Sequence, residues 1–304
     1  MALVLIEKFR HARRTQGIGT ALIKAVRWLL QQIIRIITPR NRLGDRLVAF
    51  VDFFLYHKRF PSNDPIFNDV LYTLKTTDEI LDPLRVFVSD KELVKLFVKA
   101  VVGDQYNVPT IAVLKSSDEV DSFDFPSTCC IKPTQASGHV ILRRNGEEIN
   151  TEIIKKWFSI NYYNIGREAN YKTLKPKVIV EPLIFEGEYI KEYRFYCYNG
   201  KPRFIGVDMD KNSNKFYDID WNELKFSIQL PRSSLTIAKP KNYYEMLQVA
   251  THLSSRFSFI RVDFYSNGNQ LFVGELTNGH RGAAGVFIPL TSETIASQLL
   301  FKYK

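Results

Sequence analysis

The sequence predicts an α+β fold, and two observations carry this prediction. From Val86 onward, short apolar stretches that alternate like strands are interleaved with stretches of helical periodicity. The chain has 304 residues, of which 45% are hydrophobic and 13% aromatic, so one or two cores are easily filled. No internal repeat or low-complexity tract interrupts the pattern. We therefore expect an α+β body, preceded by a segment of different character.

Residues 1–60 are predicted to form a basic, amphipathic helical extension. They hold twelve Lys or Arg residues against three acidic residues, so little of the chain's net charge of +10 is left for residues 61–304. From Ile18 to Ile37, apolar residues recur at helical spacing, with basic and polar residues on the other side. Further arginines flank this helix: Arg10, Arg13, Arg14, Arg40, Arg42 and Arg46.

The extension is too interrupted by charge for a transmembrane span, and its basic run follows the apolar start too closely for a signal peptide. A basic amphipathic helix can lie on an anionic membrane surface, or it can pack its apolar side on its own protein. Nucleic acid is not expected as a partner, because the segment has little aromatic interleaving and matches no binding module.

The cysteines and histidines indicate which cellular compartment and which metal chemistry to expect. The three cysteines, two of them adjacent at Cys129 and Cys130, do not form a disulfide framework, which favours a reducing compartment. His139 and His280 have no ligand spacing, so a zinc site is not expected. We therefore expect a cytoplasmic protein, peripheral at the inner face of the membrane if the extension binds lipid.

Two apolar strands around an Asn-Gly turn carry acidic residues near the end of the chain. A two-residue loop at 267–268 would pair Ile260 with Glu275 and place that carboxylate, unpaired, on an apolar face. We therefore predict a three-residue loop at 267–269, with a left-handed residue at Gly268 or Asn269. This register pairs Arg261 with Glu275 and Asp263 with Val273. It places Val262, Phe264 and Phe272 on one face and Arg261, Asp263 and Glu275 on the other.

The polar face of this hairpin suits Mg²⁺ and phosphate. Mg²⁺ takes one or two carboxylates together with phosphate oxygens, and an arginine grips an oxyanion at two places. The alternative is a solvated face that carries a cross-strand ion pair.

A second candidate site lies in residues 128–142. They are predicted to form a buried strand ending in Lys132, a loop of small residues at 134–139, and a returning strand. Such a loop can present backbone N–H groups to a phosphate chain while the lysine supplies positive charge, or it can be a simple hairpin turn. Upstream, a helix is predicted from Lys91 to about Val102, with Ser89 or Asp90 as N-cap and Gly103 as C-terminal cap.

In this order and spacing, the pieces resemble the ATP-grasp superfamily, and in particular its teichuronopeptide-synthesis (TupA-like) branch, from about Val86 to Pro289. The resemblance implies an ATP-grasp fold, in which two α+β subdomains clasp ATP, here with the basic helical extension in front. The matching segments are Asp90-Lys91, Ile131-Lys132-Pro133 with its loop, residues 178–183, 192–202 and 216–221, Arg261-Val262-Asp263 and residues 274–277. We expect the extension to span residues 1–60 and the catalytic domain to span residues 61–304. Within the catalytic domain, residues 61–125 are expected to form the N-terminal portion, 126–182 the nucleotide-lid subdomain and 183–304 the metal and substrate subdomain.

The resemblance also implies a role for each matching residue. Catalytic roles fall to Arg261, facing the transferred phosphoryl group, and to Lys132. ATP is expected to contact Lys91, Lys132, Ser137, Gly138, Glu181, Leu183 and Glu192, with Glu181 and Leu183 at the adenine and Glu192 at the ribose hydroxyls. The expected Mg²⁺ ligands are Asp263, Glu275 and Thr277, the last standing where many relatives have Asn. The substrate is expected at Asn278 and Arg281.

The function implied by the resemblance is ATP- and Mg²⁺-dependent carboxylate–amine ligation through an acyl phosphate. The expected substrates are a uronic acid, in a glycan or a sugar nucleotide, and an amine or amino acid, used in surface polysaccharide biosynthesis. Two alternatives remain open. One is a kinase-like member that phosphorylates a glycan or small molecule, and the other is a non-catalytic binding protein recruited to the membrane.

Overall fold

The computed structural model divides into two units, residues 1–62 and 63–304. The first unit contains two helices joined by a short turn. The structure describes residues 17–185, 191–208 and 212–301. The predicted flanking residues Arg10, Arg13 and Arg14 lie outside these ranges. Helix α1 spans Ile18–Ile37, as predicted, and helix α2 spans Arg42–His57. The Asn41 side chain caps α2 by accepting a hydrogen bond from the Gly44 N–H at 2.9 Å.

The polar side of α1, not its apolar side, faces α2. Asp52 of α2 accepts hydrogen bonds from Gln31 Nε2 and from Arg35, each at 2.7 Å. The Arg27 guanidinium lies 4.3 Å from the centre of the Tyr56 ring. The apolar stripe is consequently exposed along its length: Ile18, Leu22, Val26, Leu29, Leu30, Ile33 and Ile37. No helix in the described part of the chain is both long enough and apolar enough to cross a membrane.

The second unit contains a small antiparallel sheet in the order β1-β4-β2-β3. Its strands are Ala112–Leu114 (β1), Cys129–Pro133 (β2), Ile141–Arg143 (β3) and Val178–Glu181 (β4). Two helices, which we number α6 (Ser117–Ser122) and α7 (Thr151–Trp157), contribute Val120, Ile154 and Trp157 to the core on one side of this sheet. β1 precedes residue 126, so the boundary expected there runs through this sheet.

A larger antiparallel sheet has the order β11-β10-β5-β6-β7-β8. Its strands are Lys191–Tyr198 (β5), Lys201–Asp208 (β6), Asn214–Asp218 (β7), Glu223–Leu224 (β8), Phe259–Ser266 (β10) and Leu271–Thr277 (β11). The short strands Ser227–Ile228 (β9) and Phe287–Ile288 (β12) pair separately.

Helices cover both faces of the larger sheet, because residues of its strands alternate between two cores. Phe195 and Val262 face one core, which includes residues of α5 (Leu93–Val101) and α9 (Tyr243–Ser254). Tyr196 and Phe259 face the other, which includes residues of α3 (Phe67–Thr76) and α10 (Ser292–Phe301). The remaining short helices are α4 (Pro83–Val88) and α8 (Tyr163–Gly166). This arrangement leaves the polar residues of β10 and β11 on the second face.

Candidate active site

The register of the β10–β11 hairpin differs from the predicted one. Ser266 pairs with Leu271, so the loop has four residues, 267–270, instead of the predicted three. The longer turn is stabilised because Asn267 Oδ1 accepts hydrogen bonds from the N–H groups of Asn269 and Gln270, at 3.0 and 2.9 Å. Gly268 is left-handed, with φ 93°, as expected.

A bulge in β11 then restores the polar face. Phe264 pairs with Val273 but Asp263 pairs with Glu275, which leaves Gly274 as the extra residue. The predicted pairs Arg261–Glu275 and Asp263–Val273 are therefore wrong, whereas the predicted grouping of the three charged residues is confirmed. The predicted position of Phe272, on the same face as Val262 and Phe264, is also wrong. It pairs with Tyr265, and the core is filled by Leu271, Val273 and Leu276.

Arg261 links the three predicted metal ligands. Its guanidinium donates to both carboxylate oxygens of Asp263, at 2.6 and 2.5 Å. The same terminal nitrogen that contacts Asp263 also donates to Glu275 Oε1 at 3.1 Å and to Thr277 Oγ1 at 3.0 Å. The other terminal nitrogen donates to His280 Nδ1 at 2.8 Å. Arg261 is thus held in place by four side chains.

The pKa values of the two acids of this cluster are shifted in opposite directions. Burial raises the pKa of Asp263 to about 7, although Arg261 favours its ionised form. Burial acts in the same direction on Glu275, but the charges of Arg261 and Lys91 outweigh it and lower the Glu275 pKa to about 2. Burial, and after it the Arg261 charge, lowers the pKa of His280 well below its usual value. His280 is therefore neutral and can accept the hydrogen bond from Arg261.

Glu181 is a buried counter-ion for two lysines. It ends β4, its side chain is 3% exposed, and its carboxylate pairs with Lys132 Nζ at 2.6 Å and with Lys95 Nζ. Burial opposes its charge, but Lys132 and Lys95 outweigh this and lower the Glu181 pKa. The Lys95 pKa is lowered by burial, and the Lys132 pKa is raised because Glu181 outweighs burial. Leu183 follows, half-buried, two residues after Glu181.

Lys91 bridges the turn before α5 and the loop after β2. Its Nζ donates to the Ala136 carbonyl at 2.5 Å, and its backbone N–H donates to the Thr134 carbonyl at 3.0 Å. Asp90 anchors the same turn, because it accepts from the N–H groups of Glu92 and Leu93 at the start of the helix. Burial lowers the Lys91 pKa, with Glu275 opposing the effect. Beyond Ala136 the loop is open, since both Ser137 and Gly138 are exposed.

A cleft of about 440 Å³ brings the two candidate sites together. Seven of the predicted site residues line it: Lys91, Ser137, Glu192, Arg261, Glu275, Thr277 and Arg281. Glu192 forms a salt bridge with Arg194, which also contacts Asp208 at 2.5 Å. Five of the other predicted residues do not line this cleft: Lys132, Gly138, Glu181, Leu183 and Asp263. Asp263 instead holds the lining residue Arg261, whereas Lys132 pairs with Glu181 away from the cleft lining.

The loop after β11 is anchored by Asn278. Asn278 is 2% exposed, accepts from Arg85 at 3.0 Å, and donates to the Arg85 carbonyl and to Ser89 Oγ. It does not line the cleft, so we assign it an anchoring role in place of the predicted contact with substrate. Arg281 does line the cleft, from a left-handed turn with φ values of 51° at Arg281, 58° at Gly282 and 66° at Ala283. The two residues of this turn other than glycine, Arg281 and Ala283, store backbone strain, which is typical of functional loops.

The sequence analysis missed four residues of this region. Lys95 follows Lys91 by four positions, a spacing that places side chains on one helical face and could have revealed it. His280 was dismissed as a lone histidine, yet it orients Arg261. Glu168 and Tyr171 line the cleft from a segment without periodicity, so no pattern pointed to them.

The oxygen atoms at the Arg261 cluster fit Mg²⁺. Two carboxylates and one hydroxyl converge on a single cationic nitrogen, so this point in the fold already accommodates positive charge. Within the described ranges there is no group of three or more His, Cys, Asp or Glu residues that could hold a metal. Two carboxylates suffice for Mg²⁺, because phosphate oxygens and water complete its shell.

The α+β fold, the lysines at the loop after β2 and the acidic hairpin together define a member of the ATP-grasp superfamily. The sequence model of the TupA-like ATP-grasp family matches residues 70–295, and the chain therefore belongs to this family. The resemblance found in the sequence is confirmed. No curated protein matches the sequence.

Solved structures similar to the chain include three ligases. The D-alanine–D-alanine ligase from Helicobacter pylori is 19% identical, with 71% of this chain and 62% of that chain covered and a TM-score of 0.37. The L-amino acid ligase from Bacillus licheniformis is 12% identical, with 70% and 49% covered and a TM-score of 0.42. The ATP-grasp ligase PsnB, complexed with a minimal precursor, is 13% identical, with 75% and 68% covered and a TM-score of 0.36. The chain spans less than two thirds of the length of the first of these ligases.

Proposed function

We propose that the protein is an ATP- and Mg²⁺-dependent ligase that joins a carboxylate to an amine through an acyl phosphate. The observation that carries this proposal is the single cleft onto which Lys91, Arg261 and Glu275 converge. A lysine, an arginine and an acid in one cleft are groups that phosphoryl transfer needs, because positive charge must stabilise the transferred group. Membership of the ATP-grasp family supports the same assignment.

The residues of the cleft would act mainly by position and charge. Lys91 and the loop at Ser137 would hold the phosphates of ATP, with Lys132 kept charged behind them by Glu181. Arg261, oriented by its hydrogen bond with His280, would face the transferred phosphoryl group. Glu192, at the opposite edge, would accept hydrogen bonds from the ribose hydroxyls. Mg²⁺ held by Asp263, Glu275 and Thr277 would neutralise phosphate charge.

The proposed reaction has two steps. A carboxylate oxygen of the first substrate attacks the γ-phosphorus of ATP, the bond from that phosphorus to the β–γ bridging oxygen breaks, and ADP leaves. The nitrogen of the amine then attacks the acyl carbon, phosphate leaves, and the amine loses a proton. Arg281, which lines the cleft from the loop after β11, would bind the substrate carboxylate before the first step.

We propose a uronic acid, in a glycan or a sugar nucleotide, as the carboxylate, and an amino acid or another amine as the nucleophile. The motivation for this substrate class is the resemblance to the teichuronopeptide-synthesis branch. The product would serve surface polysaccharide biosynthesis.

We also propose that the helical extension associates with an anionic membrane surface. The supporting observation is the exposed apolar stripe of α1, flanked by the exposed basic residues Lys24, Arg40 and Arg46. Such a surface would hold the enzyme near lipid-linked or surface glycans.

A screen of uronic acids, each with and without amines, tests the catalytic proposal. ADP release that requires both substrates, with an amide identified by mass, is the expected result. Glu275→Gln should remove the activity, while Glu148→Gln, which changes an exposed acid, should retain it. A phosphorylated acid or sugar that accumulates without an amide would instead identify a kinase. ATP turnover that is absent with every acid, or unaffected by Glu275→Gln, would contradict the proposal.

A further inference from the structure

The cleft contains one carboxylate that the proposed phosphoryl transfer does not use, Glu168. It lies between helix α8 and the 3₁₀ turn Ala169–Tyr171, and it lines the cleft together with both flanking tyrosines. Across residues 17–185, 191–208 and 212–301, its carboxylate accepts no hydrogen bond and forms no contact ion pair. A carboxylate that lines a cleft without a contact partner is available to a cationic ligand, because a partly buried charge gains from pairing.

Two aromatic rings stand beside this carboxylate. Tyr162 and Tyr171 pack edge to face, with ring centres 4.8 Å apart, and both line the cleft. Each is close enough to Glu168 to sense its charge. Burial, and after it the Glu168 carboxylate, raises the pKa of Tyr162 to about 12, and the same two causes in the same order raise the pKa of Tyr171. The faces of aromatic rings attract cations, and a carboxylate beside them strengthens that preference.

The strained loop after β11 closes the other side of Glu168. A Cβ atom built on Gly282 would lie 3.6 Å from Glu168 Oε1, and one on Gly279 would lie 3.8 Å from Oε2. Lys75 approaches the same loop and donates to the Gly282 carbonyl at 3.4 Å. Burial raises the pKa of Glu168, and the charge of Lys75 opposes this increase. The space beside Glu168 therefore has glycine backbone on one side and tyrosine rings on the other.

We propose that Glu168, Tyr162 and Tyr171 form the binding subsite for the ammonium group of the amine substrate. The inference rests on the proposed ligase function and assigns the location of its second substrate. The subsite adjoins the phosphoryl-transfer residues, because its three residues line the same cleft as Lys91, Arg261 and Glu275. A kinase acting on a hydroxyl group has no need of such a cation site, so the subsite also favours an amine over an alcohol as the nucleophile.

The binding of propylammonium tests this proposal without knowledge of the natural amine. Ligand-observed NMR titrations would compare propylammonium with 1-propanol at about pH 8, where an alkylammonium with a pKa near 10.4 is charged. The full chain is titrated with and without Mg²⁺ and a non-hydrolysable ATP analogue. We expect propylammonium to bind and propanol not to, and we expect Glu168→Gln to weaken propylammonium binding at least tenfold. Tyr171→Leu should weaken it too, and Tyr171→Phe, which keeps the ring, should not.

Glu148→Gln is the matched control, because Glu148 is an exposed glutamate of the same unit. Equal propylammonium affinity in the wild type and in Glu168→Gln, or no binding to the wild type, would overturn the subsite. Binding of the ATP analogue is measured on the same samples. If the analogue binds and propylammonium does not, the subsite fails and the ligase proposal stands. If propylammonium binds as expected but the analogue does not, the ligase proposal fails and the cation site stands.

Discussion

Asp263 and Glu275 face each other across β10 and β11, although a regular hairpin with the observed four-residue loop would put Glu275 on the opposite face. The cause is the extra residue Gly274, which shifts the pairing by one position between Phe264 and Asp263. A Cβ atom on Gly274 would lie 2.7 Å from Cε2 of Tyr265, so the bulge accepts glycine far better than a larger residue. The acidic pair at the candidate metal site therefore depends on a backbone irregularity.

Gly274→Val tests this dependence. The added side chain must displace Tyr265 or the bulge, and either movement separates Glu275 from Asp263. We expect ATP turnover to fall by at least tenfold, while the melting temperature falls by only about 2–4 °C, as for a loss of about 1 kcal/mol. Gln270→Ala, an exposed change in the same hairpin, is the control. Wild-type turnover in Gly274→Val would show that the bulge does not position the acids.

Glu275→Gln is the cleanest test of the metal site. Its side chain is 35% exposed, so the substitution should change stability by less than about 1 kcal/mol. Removal of the charge should reduce ATP turnover at least a hundredfold and raise the Mg²⁺ concentration needed for half-maximal activity. Asp263→Asn should also abolish turnover, but with a loss of stability, because Asp263 is 1% exposed and bonded twice to Arg261. An unchanged Mg²⁺ requirement in Glu275→Gln would contradict the assignment.

The candidate site was predictable from sequence where its signals are local. The strand ending in Lys132 and the small-residue loop after it form a contiguous pattern, and the structure places them as expected. The hairpin register was not predictable, because a loop of three residues and a loop of four with a bulge give the same grouping of charges. The four-residue loop depends on hydrogen bonds of the Asn267 side chain.

Residues that act through tertiary contacts could not be recognised in the same way. The chain positions of Glu181 and Lys95 do not show that the two side chains meet in a buried ion pair. Glu181 was expected at the adenine, and that expectation did not include the two lysine partners of its carboxylate. The apolar stripe of α1 was visible in the sequence, but which side of the helix α2 covers depends on the Gln31–Asp52 and Arg35–Asp52 contacts.

The ion-pair cluster at Glu181 predicts a specific pH dependence of stability. The folded-state pKa of Glu181 is lowered from its ordinary value of 4.5, so its contribution is present above about pH 4.5 and is lost as the pH falls through the folded value. Glu181→Gln should destabilise the protein by about 3–5 kcal/mol at neutral pH, because it leaves Lys95 and Lys132 buried without a counter-ion. It should also reduce the decrease in the free energy of unfolding between neutral and acidic pH. Denaturant unfolding between pH 3 and pH 7 measures both effects.

Glu148→Gln serves as the control for this experiment, since Glu148 is exposed in the same unit and should change neither the free energy of unfolding nor its pH dependence. Equal stability of Glu181→Gln and the wild type at pH 7 would show that the cluster contributes nothing to folding.

The last prediction concerns the exposed stripe of α1. If it lies on a membrane, binding requires both its apolar side chains and the neighbouring positive charge. Leu29→Gln and Ile33→Gln should each weaken binding to vesicles containing phosphatidylserine, with little change in stability, because these side chains are 52% and 45% exposed. Lys24→Gln should weaken it by about fivefold, since a basic residue near an anionic surface contributes about 1 kcal/mol. Leu290→Gln, which changes a residue that is 73% exposed in the second unit, should leave binding unchanged.

Salt and lipid composition separate the two contributions to this binding. Raising the ionic strength from about 0.1 M to about 1 M shortens the screening length from about 10 Å to about 3 Å and should release most of the bound protein. Vesicles of phosphatidylcholine alone should bind weakly, because they lack the negative surface. Sedimentation with vesicles measures all of these cases. Two results would show that the stripe does not serve membrane contact. One is binding that does not depend on lipid charge, and the other is binding that neither Leu29→Gln nor Ile33→Gln weakens.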